Sequence, residues 1–354
     1  MTSADLKTPF SDRRFCSDLF LFIQRQKLLP AGSRVLLAVS GGLDSMLLLD
    51  FFRRFGKQKY GLDWGVAHLD HGLRPGSGAD AAWLAEFCRA AEIPFWQARL
   101  EVAKHHAKSP QSSLEAVARD LRYDWLLSLA IEQGFNCLAT AHTASDQAEG
   151  MLMRLVRGSL AGLGGMAPLQ SRAGICLIRP LLSQTRPSLE AYAAFQQLIW
   201  REDPSNAELD FFRNRLRHQI LPLLRQENAR LDQHWSEHAL LWQDEQTWLE
   251  QLTAEAASAS LKQESGHVLL LDLRLFQGYA QALQRRLVKT ALTQLLGEWK
   301  VFTSRHLEAV CQLADADTGK SLNLPRQVRV SRRKHALAFE QETTVSEAAP
   351  ETPA

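Results

Sequence analysis

One six-residue segment, Ser40-Gly41-Gly42-Leu43-Asp44-Ser45, constrains the fold of this chain more than any other feature. An apolar run of buried-strand length (residues 35–39) enters it, and an apolar-periodic segment that starts at Met46 leaves it as a helix. Two glycines allow backbone angles that are closed to other residues. The turn opens onto a helix N-terminus, where free N–H groups and the helix dipole favour an anion. The segment therefore predicts a phosphate-binding turn after a first strand.

The side chains of this turn also suit phosphate chemistry. Ser40 and Ser45 add hydroxyl donors, and Asp44 is a candidate ligand for Mg²⁺ held between phosphates. A Walker A loop is excluded because its Gly-x-x-x-x-Gly-Lys-Ser/Thr pattern is absent. The hexapeptide instead resembles the pyrophosphate loop of the N-type ATP pyrophosphatases, which adenylate a carbonyl oxygen and release pyrophosphate. A Gly-Gly pair alone favours an ordinary turn, whereas the full hexapeptide between strand and helix favours the phosphate loop.

The first half of the chain alternates strand-like and helix-like segments. The strand-like runs are residues 35–39, 64–69, 95–100 and 137–141, and the helical patterns between them are residues 45–55, 79–91 and 112–133. This alternation predicts an α/β fold, a Rossmann-like parallel sheet with helices on both faces. Ligands of such sheets bind at the carboxyl ends of the strands, where the phosphate loop lies.

A mostly helical pattern follows, with hairpin-like alternation over residues 321–340. We expect three regions: a catalytic ATP-binding domain of residues 1–225, a mostly α-helical C-terminal domain of residues 226–340, and a tail of residues 341–354. The composition of the tail predicts disorder.

Composition and charge narrow the function classes. Lys and Arg number 41 against 39 Asp and Glu, so the net charge of +2 does not by itself indicate nucleic acid. Local clusters do suit phosphates: five arginines between residues 213 and 230, and the group Arg326, Arg329, Arg332, Arg333 and Lys334. A solvated basic face explains either cluster equally well when it is taken alone.

The cysteine pattern indicates a reducing compartment, and the hydropathy predicts no membrane-spanning segment. The five cysteines are far apart and form no Cys-x-x-Cys pair, which argues against a zinc ribbon, an iron–sulfur site or a dithiol relay. No stretch is long and apolar enough to span a bilayer, and the N-terminus lacks the features of a signal peptide. We expect a cytoplasmic protein without a membrane partner.

Acidic residues and a histidine follow the fourth strand. His142, Asp146 and Glu149 have a spacing that places them on one helix face, at the sheet edge that holds the phosphate loop. Acids in a first helical turn are also ordinary helix electrostatics. Their position favours a site in which two carboxylates bind Mg²⁺ or a cationic amine and accept a proton.

Other polar residues suit nucleotides and phosphates. His68 and His71 follow the second strand, and we interpret them as a nucleotide-contacting loop because a third metal ligand is not evident. Arg119 and Arg122 lie on one predicted helix. A later helix groups donors that suit phosphates: Arg213, Asn214, Arg217 and His218.

Taken together, these motifs resemble the tRNA(Ile)-lysidine synthetase family. The resemblance covers residues 35 to 222 and adds further motifs: Ala118-Arg119-x-x-Arg122-Tyr123, Ala141-His142, Arg157-Gly158-Ser159, Arg179-Pro180-Leu181-Leu182 and Asp203-Pro204-Ser205-Asn206. It implies ATP-dependent ligation of lysine to C2 of the wobble cytidine of the CAU anticodon of tRNA(Ile), through an adenylated cytidine. The region after residue 225 resembles the family's first C-terminal domain weakly, and this implies tRNA binding.

The resemblance also implies roles for the residues. Residues 40–45 with His68 and His71 hold ATP, and Asp44 contacts Mg²⁺. His142, Asp146 and Glu149 position L-lysine and help to deprotonate it. The residues that contact the tRNA or stabilise phosphate charge are Arg119, Arg122, Arg213, Asn214, Arg217 and His218. The oligomeric state stays open, with a homodimer as one form.

This sequence departs from the family pattern at three positions. Thr143 replaces a common second histidine, Ser145 stands where Asp or Asn is usual, and Gly150 stands where Thr is usual. Because Asp146 and Glu149 remain, we expect activity, with altered metal affinity or loop closure. The alternatives are tRNA thiolation by a related adenylating enzyme and a catalytically silent tRNA-binding protein.

Overall fold

The computed structural model describes residues 11–70, 72, 76–100, 102, 105, 114–158, 164–202, 212–297 and 301–341. The chain divides into two compact units, Met1–Gln243 and Asp244–Ala354. The proposed boundary at residue 225 lies 18 residues before this division, and the domain roles remain predictions. The tail of residues 341–354 lies outside the described residues except for Gln341.

The first unit contains a six-stranded sheet. Its strands are β1 (Arg34–Ala38), β2 (Asp63–Asp70), β3 (Phe95–Arg99), β4 (Cys137–Thr140), β5 (Leu169–Arg172) and β6 (Ile175–Ile178), in the order β3-β2-β1-β4-β6-β5. Every pairing is parallel except that of β5 with β6. The predicted parallel sheet is confirmed. The edge strand β5 was not predicted because its Leu-Gln-Ser-Arg sequence is polar and mostly exposed.

The helices of this unit are α1 (Asp12–Arg25), α2 (Leu43–Tyr60), α3 (Ser77–Ala90), α4 (Leu114–Glu132), α5 (Ala144–Val156), α6 (Arg186–Phe195), α7 (Phe212–Arg215), α8 (Leu221–Glu227) and the first part of α9 (Leu231–Ser260), which continues past Gln243 into the second unit. They cover both faces of the sheet. Val35 and Leu37 of β1 pack into one apolar cluster with α1 and α2, whereas Leu36 packs into another with α4. This alternation follows from the two-residue period of a strand.

A π-helix (Leu216–Ile220) separates α7 from α8. The sequence pattern predicts one continuous helix over residues 211–226, and Pro222 explains the difference. Proline has no backbone N–H and therefore cannot donate to the carbonyl four residues earlier. The local winding consequently loosens just before Pro222, in the segment that carries Arg217.

The second unit packs helices on an antiparallel sheet. Its strands are β7 (Leu261–Ser265), β8 (Val268–Asp272), β9 (Ser321–Leu324), β10 (Val328–Arg332) and β11 (Ala336–Gln341), in the order β7-β8-β11-β10-β9. Its other helices are α10 (Leu273–Gly278), α11 (Gln281–Leu296) and α12 (Ser304–Leu313). Phe276, Leu287 and Phe339 are fully buried in its core. The predicted hairpin is present as part of a larger sheet, beside the predicted helices.

Within the described residues, none of the helices has the length and apolarity needed to cross a membrane.

Candidate active site

The phosphate loop joins β1 to α2 and is closed by one hydroxyl. Ser45 Oγ accepts hydrogen bonds from the N–H groups of Ser40 (3.2 Å) and Gly41 (3.1 Å) and donates to the Gly42 carbonyl (2.9 Å). Gly41 has a φ of +90°, a conformation that side chains with a Cβ rarely adopt. The loop therefore holds a tight turn at the N-terminus of an 18-residue helix, a place that favours an anion.

Asp44 lies in the first turn of α2 and faces other charges. Its Oδ1 lies 3.2 Å from Arg186 Nη1. Burial raises the pKa of Asp44 to about 6, Arg186 opposes the rise, and the charges of Asp146 and Glu149 add to it. The phosphate loop and the carboxylates of α5 are therefore electrostatically coupled, and a cation at Asp44 would be stabilised.

The start of α5 fixes Asp146. Thr143 is the N-cap, and its N–H and Oγ1 both donate to Asp146 Oδ2, at 3.0 and 2.9 Å. Burial alone would raise the pKa of Asp146, but Arg213, His142 and Arg217 hold that pKa below its ordinary value. Thr143 thus has a clear structural role here, although the family often has histidine at this position.

Two arginines of the next segment pair with the carboxylates of α5. Arg213 donates from Nη2 to Asp146 Oδ1 (2.8 Å) and from Nε to Glu149 Oε2 (2.7 Å). Arg217 donates from Nε to Glu149 Oε1 (2.6 Å), and the Glu149 side chain is only 2% exposed. The sequence placed both arginines among phosphate contacts and did not predict these pairs. On the same segment Asn214 is half-buried and His218 is exposed.

His142 lies beside this cluster as a neutral imidazole. Its Nδ1 is hydrogen-bonded to Thr140 Oγ1 at 2.9 Å. Burial, together with the positive charges of Arg179 and Arg122, holds the pKa of His142 well below its ordinary value, although Asp146 opposes this effect. His142 is therefore uncharged at neutral pH and is a weak base there.

The remaining predicted residues flank this edge of the sheet. His68 is buried, and its Nδ1 donates to the Val39 carbonyl (2.9 Å), next to the phosphate loop. His71 lies outside the described residues. Arg119 and Arg122 of α4 place their guanidinium groups 5.8 and 5.4 Å from the centre of the Tyr123 ring. Arg186, which contacts Asp44, was missed; its only sequence signal is its position shortly after the Arg179-Pro180-Leu181-Leu182 motif.

Comparisons with known proteins place this geometry in a family. A family model for the PP-loop domain matches residues 20–224, and a model for the TilS substrate binding domain matches residues 271–337. A tRNA(Ile)-lysidine synthase of Synechococcus sp. is 37% identical over 333 residues, which cover 92% of this chain and 94% of that protein. The chain belongs to the tRNA(Ile)-lysidine synthase family. The family predicted from the motifs is thereby confirmed.

Other relatives of the tRNA(Ile)-lysidine synthase family are longer. The tRNA(Ile)-lysidine synthase of Dehalococcoides mccartyi is 35% identical over 86% of this chain, and the chain covers 65% of it. The bifunctional protein TilS/HprT of Listeria monocytogenes is 34% identical over 90% of this chain, and the chain covers 49% of it. The chain therefore spans 49% to 65% of the length of these two relatives.

A solved structure supports the fold. The U34-tRNA thiolase NcsA from Methanococcus maripaludis, with its [4Fe-4S] cluster, aligns with a TM-score of 0.56 at 14% identity. The alignment covers 66% of this chain and 81% of the thiolase. At this identity the likeness concerns the fold alone.

Proposed function

We propose that this protein ligates lysine to C2 of the wobble cytidine, C34, in the CAU anticodon of tRNA(Ile). The reaction consumes ATP, passes through an adenylated cytidine and gives lysidine, AMP and pyrophosphate, which changes decoding from AUG to AUA. The observation that carries the proposal is that Arg186 links the phosphate loop to the start of α5: its Nη1 lies 3.2 Å from Asp44 Oδ1, and its N–H donates to Ser145 Oγ, one residue before Asp146. An ATP site and a candidate amine site thus lie side by side. Membership of the tRNA(Ile)-lysidine synthase family supports the same reaction.

The first step activates the base. The O2 of cytosine is a poor leaving group, so O2 attacks the α-phosphorus of ATP and pyrophosphate departs. The N–H groups at the start of α2 and the Ser40 hydroxyl would stabilise the charge that develops on the phosphates. The Ser45 hydroxyl, which donates to the Gly42 carbonyl, would hold the loop in shape. His68, which is buried and hydrogen-bonded to the Val39 carbonyl, would line the part of the site that contacts the nucleotide.

Magnesium fits the donor set when it arrives with ATP. Among the described residues no group of three His, Cys, Asp or Glu side chains could hold a metal ion. Mg²⁺ is, however, commonly bound by one or two carboxylates together with substrate phosphates and water. Asp44 would hold the ion in this way, and the bound ion would neutralise phosphate charge.

The second step forms the C–N bond. The ε-amine of lysine attacks C2, and AMP leaves with the electron pair of the C2–O2 bond. Asp146 and Glu149 would bind the lysine ammonium in competition with Arg213 and Arg217, which they hold in this structure. We assign the proton that the amine must lose to the group of His142, Asp146 and Glu149.

We assign tRNA contacts to two regions. In the first unit, Arg119, Arg122, Asn214 and His218 would meet the phosphates around the anticodon. In the second unit, the match to the TilS substrate binding domain and the basic residues of β10 support docking of the tRNA body.

Thiolation is the less favoured alternative. The five cysteines are free; four are buried, and Cys176 is half-buried. Burial raises the pKa of Cys16, Cys88 and Cys311 to about 11 in each case, so these thiols are poor nucleophiles at neutral pH. A silent tRNA-binding protein is also less favoured, because Asp44, Asp146 and Glu149 are all retained.

The test of this function is incorporation of labelled lysine. A tRNA(Ile) transcript with a CAU anticodon should gain lysine in a reaction that needs ATP, and a transcript with another base at the wobble position should not. Incorporation of labelled sulfur into the tRNA, instead of lysine, would support the alternative of tRNA thiolation. Binding of tRNA without ATP and without modification would support the alternative of a catalytically silent tRNA-binding protein.

A further inference from the structure

Arg186 reaches the phosphate loop from a different element. It is the first residue of α6, and its Nη1 lies 3.2 Å from Asp44 Oδ1. Its Nε donates to Glu190 Oε1 at 2.8 Å, within the same helix. The Arg186 side chain is 45% exposed and the Asp44 side chain 29%. The guanidinium group thus lies beside the predicted anion site and in contact with solvent.

A buried network anchors the backbone of Arg186. Its N–H donates to Ser145 Oγ at 3.1 Å, and the Ser145 hydroxyl donates to Asp232 Oδ2 at 2.6 Å. Asp232, 7% exposed, also accepts hydrogen bonds from Arg225 Nε (3.1 Å) and Nη2 (2.9 Å). Serine at position 145 avoids the second negative charge that an aspartate would bring against Asp232. The backbone of Arg186 is therefore held in place, while its guanidinium group is accessible to solvent.

The contact between Arg186 and Asp44 is weak enough to exchange. Ion pairs of this partly exposed kind contribute about 0–1 kcal/mol, because water screens the charges and side-chain entropy is lost. A polyphosphate offers more charge, and its oxygens match the planar fork of donors on a guanidinium. Phosphates bound at the start of α2 would therefore compete effectively with Asp44 for Arg186.

We infer that Arg186 binds the β- and γ-phosphates of ATP and then the pyrophosphate leaving group, with Ser145 and Asp232 as its positioning residues. This inference rests on the proposed function. In the adenylation step a bond forms between cytosine O2 and the α-phosphorus, and the bond from that phosphorus to the bridging oxygen breaks. The electron pair stays on the departing pyrophosphate, and Arg186 stabilises the added negative charge.

Binding of inorganic pyrophosphate to the full chain tests the inference without requiring activity. Calorimetry should show affinity reduced about tenfold or more by Arg186→Ala, the loss of a charge-assisted contact, and partly restored in Arg186→Lys. Glu190→Gln is the matched control: it removes the other partner of Arg186 but keeps the guanidinium, and it should retain wild-type affinity. Unchanged pyrophosphate affinity in a folded Arg186→Ala protein would overturn the inference.

Kinetics separate this role from a structural one. Arg186→Ala should raise the KM for ATP and slow AMP transfer while the KM for lysine stays the same. Ser145→Ala should shift the same parameters, and its effect should largely vanish in the Arg186→Ala background, because the serine acts through the arginine. Additive effects of the two substitutions would show Ser145 to be merely structural and would refute its positioning role.

The two proposals fail in different ways. If the wild-type protein forms lysidine and Arg186→Ala behaves like it, only the role of Arg186 is wrong. If pyrophosphate affinity depends on Arg186 but lysine is never attached to tRNA, the proposed function is wrong and the pyrophosphate site stands.

Discussion

Asp44 lies in the phosphate loop, where burial destabilises its ionised carboxylate. Burial raises its pKa to about 6 from an ordinary value of 3.8. The folded protein consequently binds a proton at this group more tightly than the unfolded chain does, so the group's contribution to stability falls as pH rises from about 4 to 6. Above pH 6 the ionised carboxylate is a persistent cost, which a bound cation would relieve.

Replacing Asp44 with asparagine should therefore stabilise the protein and inactivate it. We expect the free energy of unfolding to rise by about 1–2 kcal/mol at pH 8 and to be unchanged near pH 4, with AMP transfer lost. Urea denaturation at both pH values measures the first effect, with Asp18→Asn, an exposed site on α1, as control. A variant that is less stable at pH 8, or that adenylates tRNA at the wild-type rate, would contradict this assignment.

Glu149 should matter more for lysine than for ATP. Glu149→Gln removes the negative charge that Arg213 and Arg217 share in this structure and that we assign to the lysine ammonium. Loss of a charge-assisted hydrogen bond of about 1.5–3 kcal/mol should raise the KM for lysine by roughly tenfold or more. Steady-state kinetics with each substrate varied distinguishes the outcomes: a raised KM for ATP with an unchanged KM for lysine would place Glu149 on the metal.

The sequence identifies some of these residues but not their partners. Asp146 and Glu149 were found because helical spacing puts them on one face of α5. The predicted place of His142 on that helix is wrong, because the helix begins at Ala144 after its cap Thr143, and His142 precedes both. The pairing of Glu149 with Arg213 spans 64 residues, and no periodic pattern connects such distant positions. The same is true of Arg186 and Asp44, which are 142 residues apart.

At the scale of the element, the N-terminus of α5 holds Asp146 through its cap. The Thr143 hydroxyl accepts from the Asp146 N–H and donates to its carboxylate, and the Thr143 N–H donates to the same carboxylate. The cap therefore stabilises the helix and also orients the carboxylate of Asp146.

Thr143→Ala should lower the free energy of unfolding by about 1–2 kcal/mol, as expected for loss of an N-cap. It should also raise the KM for lysine, because Asp146 loses one of its hydrogen bonds. Thr143→Ser keeps the hydroxyl and is the matched control. Thermal denaturation together with lysine kinetics checks both effects, and equal behaviour of the alanine and serine variants would refute the capping role.

Elements with strong apolar patterns were predictable, and polar ones were not. The first four strands lie within about a residue of their predicted runs. β1, β2 and β4 are mostly buried and apolar, whereas β3 is only partly buried. The apolar pattern of α9 continues through Leu261 and predicts helix to about Gln263, whereas the structure begins β7 at Leu261. The π-helix escaped prediction because it depends on one missing N–H, that of Pro222.

At the scale of the whole molecule, the basic residues of β10 and of the turn after it differ in their contacts. Arg333 pairs with Glu264 and Glu340, and Arg332 donates to the Ala314 carbonyl. Arg329 is exposed and donates to Ser321 Oγ, and Lys334 is exposed as well. The last two residues are thus better placed to meet tRNA phosphates, whereas Arg333 helps to hold the sheet together.

The double variant Arg329→Ala, Lys334→Ala should weaken tRNA binding and flatten its dependence on salt. Each lost phosphate contact lowers the slope of log K against log salt by about 0.7 to 0.9. Filter binding over a salt series measures the slope, and Arg13→Ala on α1 serves as control. The KM for ATP should not change. An unaltered affinity and slope would show these residues to be an ordinary solvated surface.

We propose that this chain attaches lysine to a cytidine that it has first adenylated. The most direct measurement is mass spectrometry of nucleosides from a CAU-anticodon tRNA(Ile) incubated with the full chain, ATP and isotopically labelled lysine. We predict labelled lysidine with wild-type protein, adenylated cytidine alone when lysine is omitted, and neither product with Asp44→Asn. Unmodified cytidine in the complete wild-type reaction, with tRNA bound and ATP intact, would contradict the account.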